Sequence, residues 1–231
     1  MLWNRFDELD IKITEAQKEK LIMYKNILQK ENKIHNLTTI ITDQDILDKH
    51  FYDSLIFSNH FDPSNLKILD IGTGAGFPGV VIKIIYPTSK IYLVESNGKK
   101  INFLNKVIRE LELEDIYTLN VRAEEYTLEN REKFDVVISR AMAPLNILLE
   151  VGAQGLKING SFICLKSKNV INEMNDLNGQ ETKIGLMFDF KQELNDEVLG
   201  ERNNLFYKKV KQTPLEFPRQ YSQIRKRPLG K

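Results

Sequence analysis

Residues 67–79, KILDIGTGAGFPG, constrain this chain more than any other stretch. An apolar run ends in Asp70 and Ile71, then Gly72, Gly74 and Gly76 follow at alternate positions. Such glycines let a backbone take positive φ and come close to a ligand. Pro78 suits a first helical turn, where its missing N–H costs nothing. The segment therefore reads as a buried strand, a tight turn and a helix start, the arrangement that holds a nucleotide-containing cofactor at the carboxyl edge of a parallel sheet. Gly74-x-Gly76-x-x-Gly79 also satisfies the dinucleotide fingerprint. An NAD reading, an S-adenosyl-L-methionine reading and a fold that has lost its activity all compete for these residues. Asp70 favours the second, because a carboxylate at the strand end repels a pyrophosphate and attracts a sulfonium or an amino group. Glu95, which ends the run Lys90–Val94, is placed to accept from both ribose hydroxyls, a feature NAD proteins share.

Around this motif the chain alternates strand-like and helix-like segments. Strands are expected at about 67–71, 90–95, 116–121, 134–139, 161–165, 185–194 and 203–210. Helices are expected at about 77–86, 98–112, 144–155 and 170–177. The pattern predicts an α/β fold, Rossmann-like, with a doubly wound, mostly parallel sheet. The last two strands are separated only by the polar loop Asn195–Arg202 and should form an antiparallel edge hairpin. Residues 1–62 read as a helical extension. Thr14-x-x-Gln17 is a capping box, and Thr42-x-x-Asp45 a second cap before a helix over Asp45–Phe57. Residues 63–212 are the core and 213–231 a basic tail without periodicity.

The net charge of +1 conceals an asymmetry. Residues 208–231 carry eight Lys and Arg against Glu216 alone, a net +7, leaving about −6 for the rest. A basic end on an acidic body suits a polyanion partner; a merely solvated terminus is the competing account. The single cysteine, Cys164, lies in the apolar run Ser161–Leu165 and reads as a buried, inert thiol. With 231 residues, 42% of them hydrophobic, no secretory h-region and no apolar stretch near twenty residues, a soluble cytoplasmic protein is expected, with no membrane contact.

Further residues at the carboxyl edge could carry chemistry. Arg122-Ala123-Glu124-Glu125 follows the third strand and could meet an adenine edge, or simply place acidic residues at a helix start. Arg140, ending the fourth strand in Ser139-Arg140-Ala141, suits a ligand carboxylate or an RNA phosphate, or a surface salt bridge. His50 lies on a helix with Asp53 and Ser54 one turn on, where a structural histidine is the ordinary finding. Lys166, in Leu165–Lys168, is a candidate phosphate contact. The fourth strand is not followed by an Asp/Asn-Pro-Pro-Phe/Tyr motif, which disfavours methylation of an exocyclic amine. There is no Pro-Cys nucleophile and no His/Cys cluster with metal-ligand spacing.

Taken together, Asn36-Leu37-Thr38, Lys49–Leu55, the glycine motif with Phe77-Pro78-Gly79, Arg122–Glu125, Ser139-Arg140-Ala141-x-Ala143-Pro144-Leu145, Gly200-Glu201-Arg202 and the Phe217–Leu229 tail resemble one family. It is the bacterial small-subunit ribosomal RNA guanine-N7 methyltransferases, RsmG, also called GidB. The likeness spans essentially the whole chain. It departs in the tail, where Gln220–Ile224 replaces a short glycine-containing stretch. The resemblance implies methyl transfer from S-adenosyl-L-methionine to N7 of one guanine in 16S ribosomal RNA, on the small subunit or its assembly intermediate, by a monomer. It implies cofactor contacts from Gly72, Phe77, Ala123, Glu124 and Arg140; the motif itself adds Asp70, Gly74, Gly76 and Glu95. Arg140 and His50 are the candidates for positioning the reaction. Lys166, Arg202, Arg219, Arg225, Lys226 and Arg227 are the candidates for RNA contact. An RNA- or nucleotide-binding regulator without activity is the alternative class.

Overall fold

The computed structural model describes residues 3–9 and 11–231. Seven strands form one sheet in the order β3-β2-β1-β4-β5-β7-β6. They are β1 (Lys67–Ile71), β2 (Lys90–Val94), β3 (Ile116–Leu119), β4 (Phe134–Arg140), β5 (Leu156–Ser167), β6 (Leu186–Asp196) and β7 (Gly200–Lys209). β1 to β5 pair in parallel, and β7 runs antiparallel between β5 and β6. The strand order reverses at β1 and β4, so the cleft for a ligand opens at their carboxyl ends. β1 is buried from Ile68 to Ile71, as a strand covered on both faces must be.

The helices are α1 (Glu15–His35), α2 (Asp43–Ile46), α3 (Gly79–Ile85), α4 (Gly98–Glu110), α5 (Ala123–Glu129), α6 (Leu145–Ala153), α7 (Val170–Leu177) and α8 (Tyr221–Lys226). α1 begins with the expected capping box: Thr14 Oγ1 accepts from Gln17 N–H, and the Gln17 side chain accepts from Thr14 N–H. Gln17 also donates to Ile84 and Ile85 carbonyls at the end of α3, which ties the extension to the core. Leu21, Tyr24 and Leu28 of α1 pack in one cluster with Val80, Leu93 and Leu104, so α1 covers one sheet face rather than forming a core of its own.

Several boundaries differ from the sequence reading. α3 starts at Gly79, not residue 77, because Thr73–Pro78 are spent in turns that close the glycine loop. β5 begins at Leu156, since α6 stops at Ala153. The helix expected over Asp45–Phe57 is α2 continued by six residues of π-helix, Leu47–Tyr52, then a turn and a short 3-10 helix, Ile56–Asn59. α5 and α8 are additions. The tail is not structureless: Ile224 and Leu229 are buried in the cluster on the second sheet face, with Leu148, Val170 and Leu177. Arg219 clasps the wholly buried Glu150 of α6 through Nε at 2.7 Å and Nη2 at 2.6 Å.

Candidate functional site

Gly72 (φ +70°) and Gly74 (φ +62°) turn the chain back over β2, and Gly72 and Thr73 N–H both donate to the Val94 carbonyl. A Cβ on Gly74 would meet nothing nearer than 4.0 Å, so this backbone faces open space beside Lys100. Gly76 is different: at φ +101°, a Cβ there would lie 2.6 Å from the Tyr24 hydroxyl and 2.6 Å from Val80. It is a glycine so that α1 can pack against the loop, and Tyr24 donates to the Ala75 carbonyl. Asp70 is fully buried beneath the loop. Its Oδ2 accepts from Thr73 Oγ1 at 2.6 Å and Gly79 N–H at 2.8 Å, while Oδ1 has no protein partner. Burial raises its pKa to about 6. The side chains of Asp70 and Phe77 therefore point inward and shape the loop; what this stretch offers a ligand is backbone.

A cleft of about 280 Å³ opens beside the loop. Its walls include Gly72, Glu95, Ala123, Glu124, Met142 and Tyr221. Glu95 directly follows β2 and is nearly buried; its Oε1 accepts from Asn97 N–H at 2.8 Å and its Oε2 from Gly74 N–H at 3.2 Å. Each oxygen keeps a lone pair for a ligand hydroxyl. Ala123 and Glu124 open α5, whose first N–H groups lack helical partners. The residues fit a bound adenosine: a carboxylate for the diol, an edge of backbone and carboxylate groups for the base, and a loop that admits close approach.

Arg140 lies to the other side of the loop, its side chain 14% exposed. Its Nη1 donates to the Lys49 carbonyl at 3.1 Å and to Asp53 Oδ2 at 3.2 Å, and its Nη2 to His50 Nδ1 at 3.0 Å. The Lys49 carbonyl is available because of the π-helix. Asp53 N–H reaches back five residues to Asp48 and Ser54 N–H four to His50, so the change of register skips Lys49. π-Helical turns concentrate at functional sites for this kind of reason. Because a guanidinium only donates, His50 Nδ1 is the acceptor and Nε2–H donates to Thr38 Oγ1, 2.8 Å away. Burial, reinforced by the Arg140 charge, lowers the His50 pKa to about 3. The neutral ring stacks on Phe77 with centroids 4.3 Å apart. His50 thus has no free nitrogen for acid–base work; it holds Arg140.

Three of the expected RNA contacts have their charge engaged inside the chain. Lys166 donates to Glu173 Oε2 at 2.7 Å and the Ala143 carbonyl at 2.6 Å, which fixes the loop after β4. Arg202 Nε is 2.7 Å from Asp53 Oδ1, so Asp53 bridges two arginines. Arg219 is the clasp on Glu150. Arg225, Lys226 and Arg227 are exposed. Cys164 is fully buried, its thiol pushed to about 12 by burial. Among the described residues no group of three His, Cys, Asp or Glu could hold a metal ion, and no helix is long and apolar enough to cross a membrane. Sequence reading missed Tyr221 and Met142 as walls of the cleft, since only the fold brings them there.

Comparison with known proteins agrees with this architecture. Among solved structures, a SAM-dependent methyltransferase from Aquifex aeolicus matches with a TM-score of 0.56 at 15% identity, over 73% of this chain and 94% of that one. Aeropyrum pernix fibrillarin, solved with natively bound S-adenosyl-L-methionine, matches with a TM-score of 0.51 at 18% identity, over 68% and 73%. The ribosomal RNA small subunit methyltransferase G of Mycoplasma capricolum is 48% identical over 97% of both chains. That of Acetivibrio thermocellus is 37% identical over 95% of this chain and 91% of its own. Residues 17–205 match the model of the GidB family, described as rRNA small subunit methyltransferase G, and the chain belongs to that family.

Proposed function

We propose that this chain transfers the methyl group of S-adenosyl-L-methionine to N7 of a guanine in 16S ribosomal RNA of the small subunit or its assembly intermediate. The observation that carries the reading is an arginine held in place in a site where His50, Asp53 and Cys164 are all engaged or sealed away. His50 has both ring nitrogens engaged, Asp53 is shared by two arginines, and Cys164 is sealed in the core. Guanine N7 carries an in-plane lone pair at neutral pH and needs no deprotonation. Such a reaction asks for in-line positioning in a site that excludes water, with no covalent intermediate.

In this reading Glu95 takes the ribose hydroxyls, Ala123 and Glu124 the adenine edge, and Gly72 and Gly74 the close approach of the backbone. The Asp70 charge lies under the loop and favours the cationic end of the cofactor, which supplies an electrophilic methyl group. Arg140, fixed by Asp53, His50 and the Lys49 carbonyl, orients cofactor or guanine. Arg225, Lys226 and Arg227 meet RNA phosphates, while Lys166, Arg202 and Arg219 hold the surfaces that do so.

The test is to map N7-methylguanine in ribosomal RNA from cells with and without the gene, and then to restore it with purified protein. Arg140→Ala should lower transfer at least tenfold, about 1.4 kcal/mol of transition-state stabilisation, with the fold intact. Unchanged methylation in cells lacking the gene would refute the assignment.

A further inference from the structure

The C-terminal segment returns to the cofactor cleft. After β7 the chain passes behind α6, where the Gln154 amide donates to the Phe217 carbonyl at 2.8 Å. Arg219 then closes on Glu150 with both its guanidinium and its backbone N–H, the latter at 3.1 Å. Ile224 and Leu229 anchor α8 and the chain beyond it in the second core. Between these fixed points lies Tyr221, half-buried, and it lines the same cleft as Val94, Val121, Ala123 and Glu124. The Arg122 guanidinium stands 5.1 Å over its ring, which keeps the phenol from swinging freely into solvent. α8 lies beyond residues 17–205, the part that the family model matches.

We propose that Tyr221 is a cofactor-binding residue: its ring is the outer wall of the pocket and contacts the flat face of the adenine base. The chemistry of the walls supports this. Val94 and Val121 give an apolar side, Ala123 and Glu124 a polar edge, and an aromatic ring completes a slot for a planar, weakly polar heterocycle. Base–aromatic contacts tolerate any purine face, and removing the ring typically costs about fivefold or more in affinity. The Glu150–Arg219 clasp then has a role beyond stability, since it sets where Tyr221 stands.

This inference rests on the cleft being the cofactor site, so the experiment separates the two. Calorimetry on the full chain would compare the parent, Glu95→Ala, Tyr221→Ala, Tyr221→Leu and Tyr221→Phe, with S-adenosyl-L-methionine and with adenosine alone. Tyr221→Ala and Tyr221→Leu should weaken both ligands by a similar factor, at least about fivefold. Tyr221→Phe, which keeps the ring, should stay within about twofold of the parent. Leu preserves apolar bulk, so a residue that only packs α8 would leave Tyr221→Leu unchanged, and that result would overturn the proposal. Weakening of S-adenosyl-L-methionine without weakening of adenosine would also overturn it, because the ring would not be at the base. If Glu95→Ala weakens binding and the Tyr221 variants do not, the cleft stands and the Tyr221 wall falls. If none of the variants matters, the cleft itself is wrong.

Discussion

Asp70→Asn should make the protein more stable and a poorer enzyme. Asp70 is wholly buried, with two donors on Oδ2 and none on Oδ1. Asparagine is isosteric: its amide oxygen can keep both bonds while the NH2 group takes the unpartnered place. Burial raises the folded-state pKa to about 6, against about 3.9 in an unfolded chain. Two units of difference correspond to roughly 3 kcal/mol against the ionised carboxylate above pH 7. An amide N–H without a partner gives back about 1–2 kcal/mol. The expected net gain at pH 7.5 is therefore about 1–2 kcal/mol, a rise in Tm of roughly 2–8 °C for a chain of this size. The sign with pH comes from the raised pKa. Stability from this group is fully present below the unfolded value and is lost as pH rises through about 6. The advantage of Asp70→Asn should accordingly shrink by about 1.4 kcal/mol between pH 7.5 and pH 5. Urea unfolding of both proteins at the two pH values measures it, and other acid-labile groups cancel in the difference. A variant less stable than the parent at pH 7.5, or an advantage indifferent to pH, would refute the reasoning. Because the charge is retained at this expense, Asp70→Asn should also weaken S-adenosyl-L-methionine, a cation, more than S-adenosylhomocysteine.

Nitrogen NMR should find His50 as the neutral Nε2–H tautomer throughout pH 5–8; a titration near 6.5 would show that Arg140 does not hold its Nδ1. Changing Arg225, Lys226 and Arg227 together to Gln should leave stability and cofactor affinity unchanged and reduce the slope of log substrate affinity against log salt by about 0.7–0.9 per lost contact; parallel salt lines would deny these side chains a phosphate role. Arg219→Ala, by contrast, leaves a buried Glu150 carboxylate unpaired and should cost about 3 kcal/mol in chemical unfolding, and a loss near zero would mean the clasp is only a surface pair. Gly76→Ala should destabilise more than Gly74→Ala, because only the former places a Cβ 2.6 Å from Tyr24 and Val80; equal losses in Tm would indicate that positive φ alone matters at both.

The parallel core was legible because its signals are local. Apolar runs, alternating glycines, the capping box at Thr14 and the closely spaced final strands each specify an element without distant help. α5 was harder: Ala123 and Thr127 give it little apolar periodicity, and its identity depends on packing against α6. The π-helical turn at Leu47–Tyr52 has no local signature, since it is stabilised by Arg140, some ninety residues away. The candidate site divides along the same line. Residue types at strand ends marked Glu95, Ala123, Glu124 and Arg140 as a group. Whether a cation is free or already paired is a question about its partner, so Lys166, Arg202 and Arg219 looked equivalent to Arg225 and Lys226 in sequence. Tyr221 stood unremarked in a polar tail because the clasp that brings it to the cleft is formed with α6.

The π-helical turn also makes the chain length of that segment matter. It holds one residue more than an α-helix would place in the same span, and this extra residue is what skips the Lys49 carbonyl. Removing any single residue between Leu47 and Tyr52 would let the segment relax to an ordinary α-helix. The flanking residues would keep their places, because the α-helix spans the same length with one residue fewer. The carbonyl at the Lys49 position would instead enter an ordinary i+4 bond, and Arg140 would keep Asp53 and His50 but lose that acceptor. A deletion here is expected to spare the fold and to loosen Arg140.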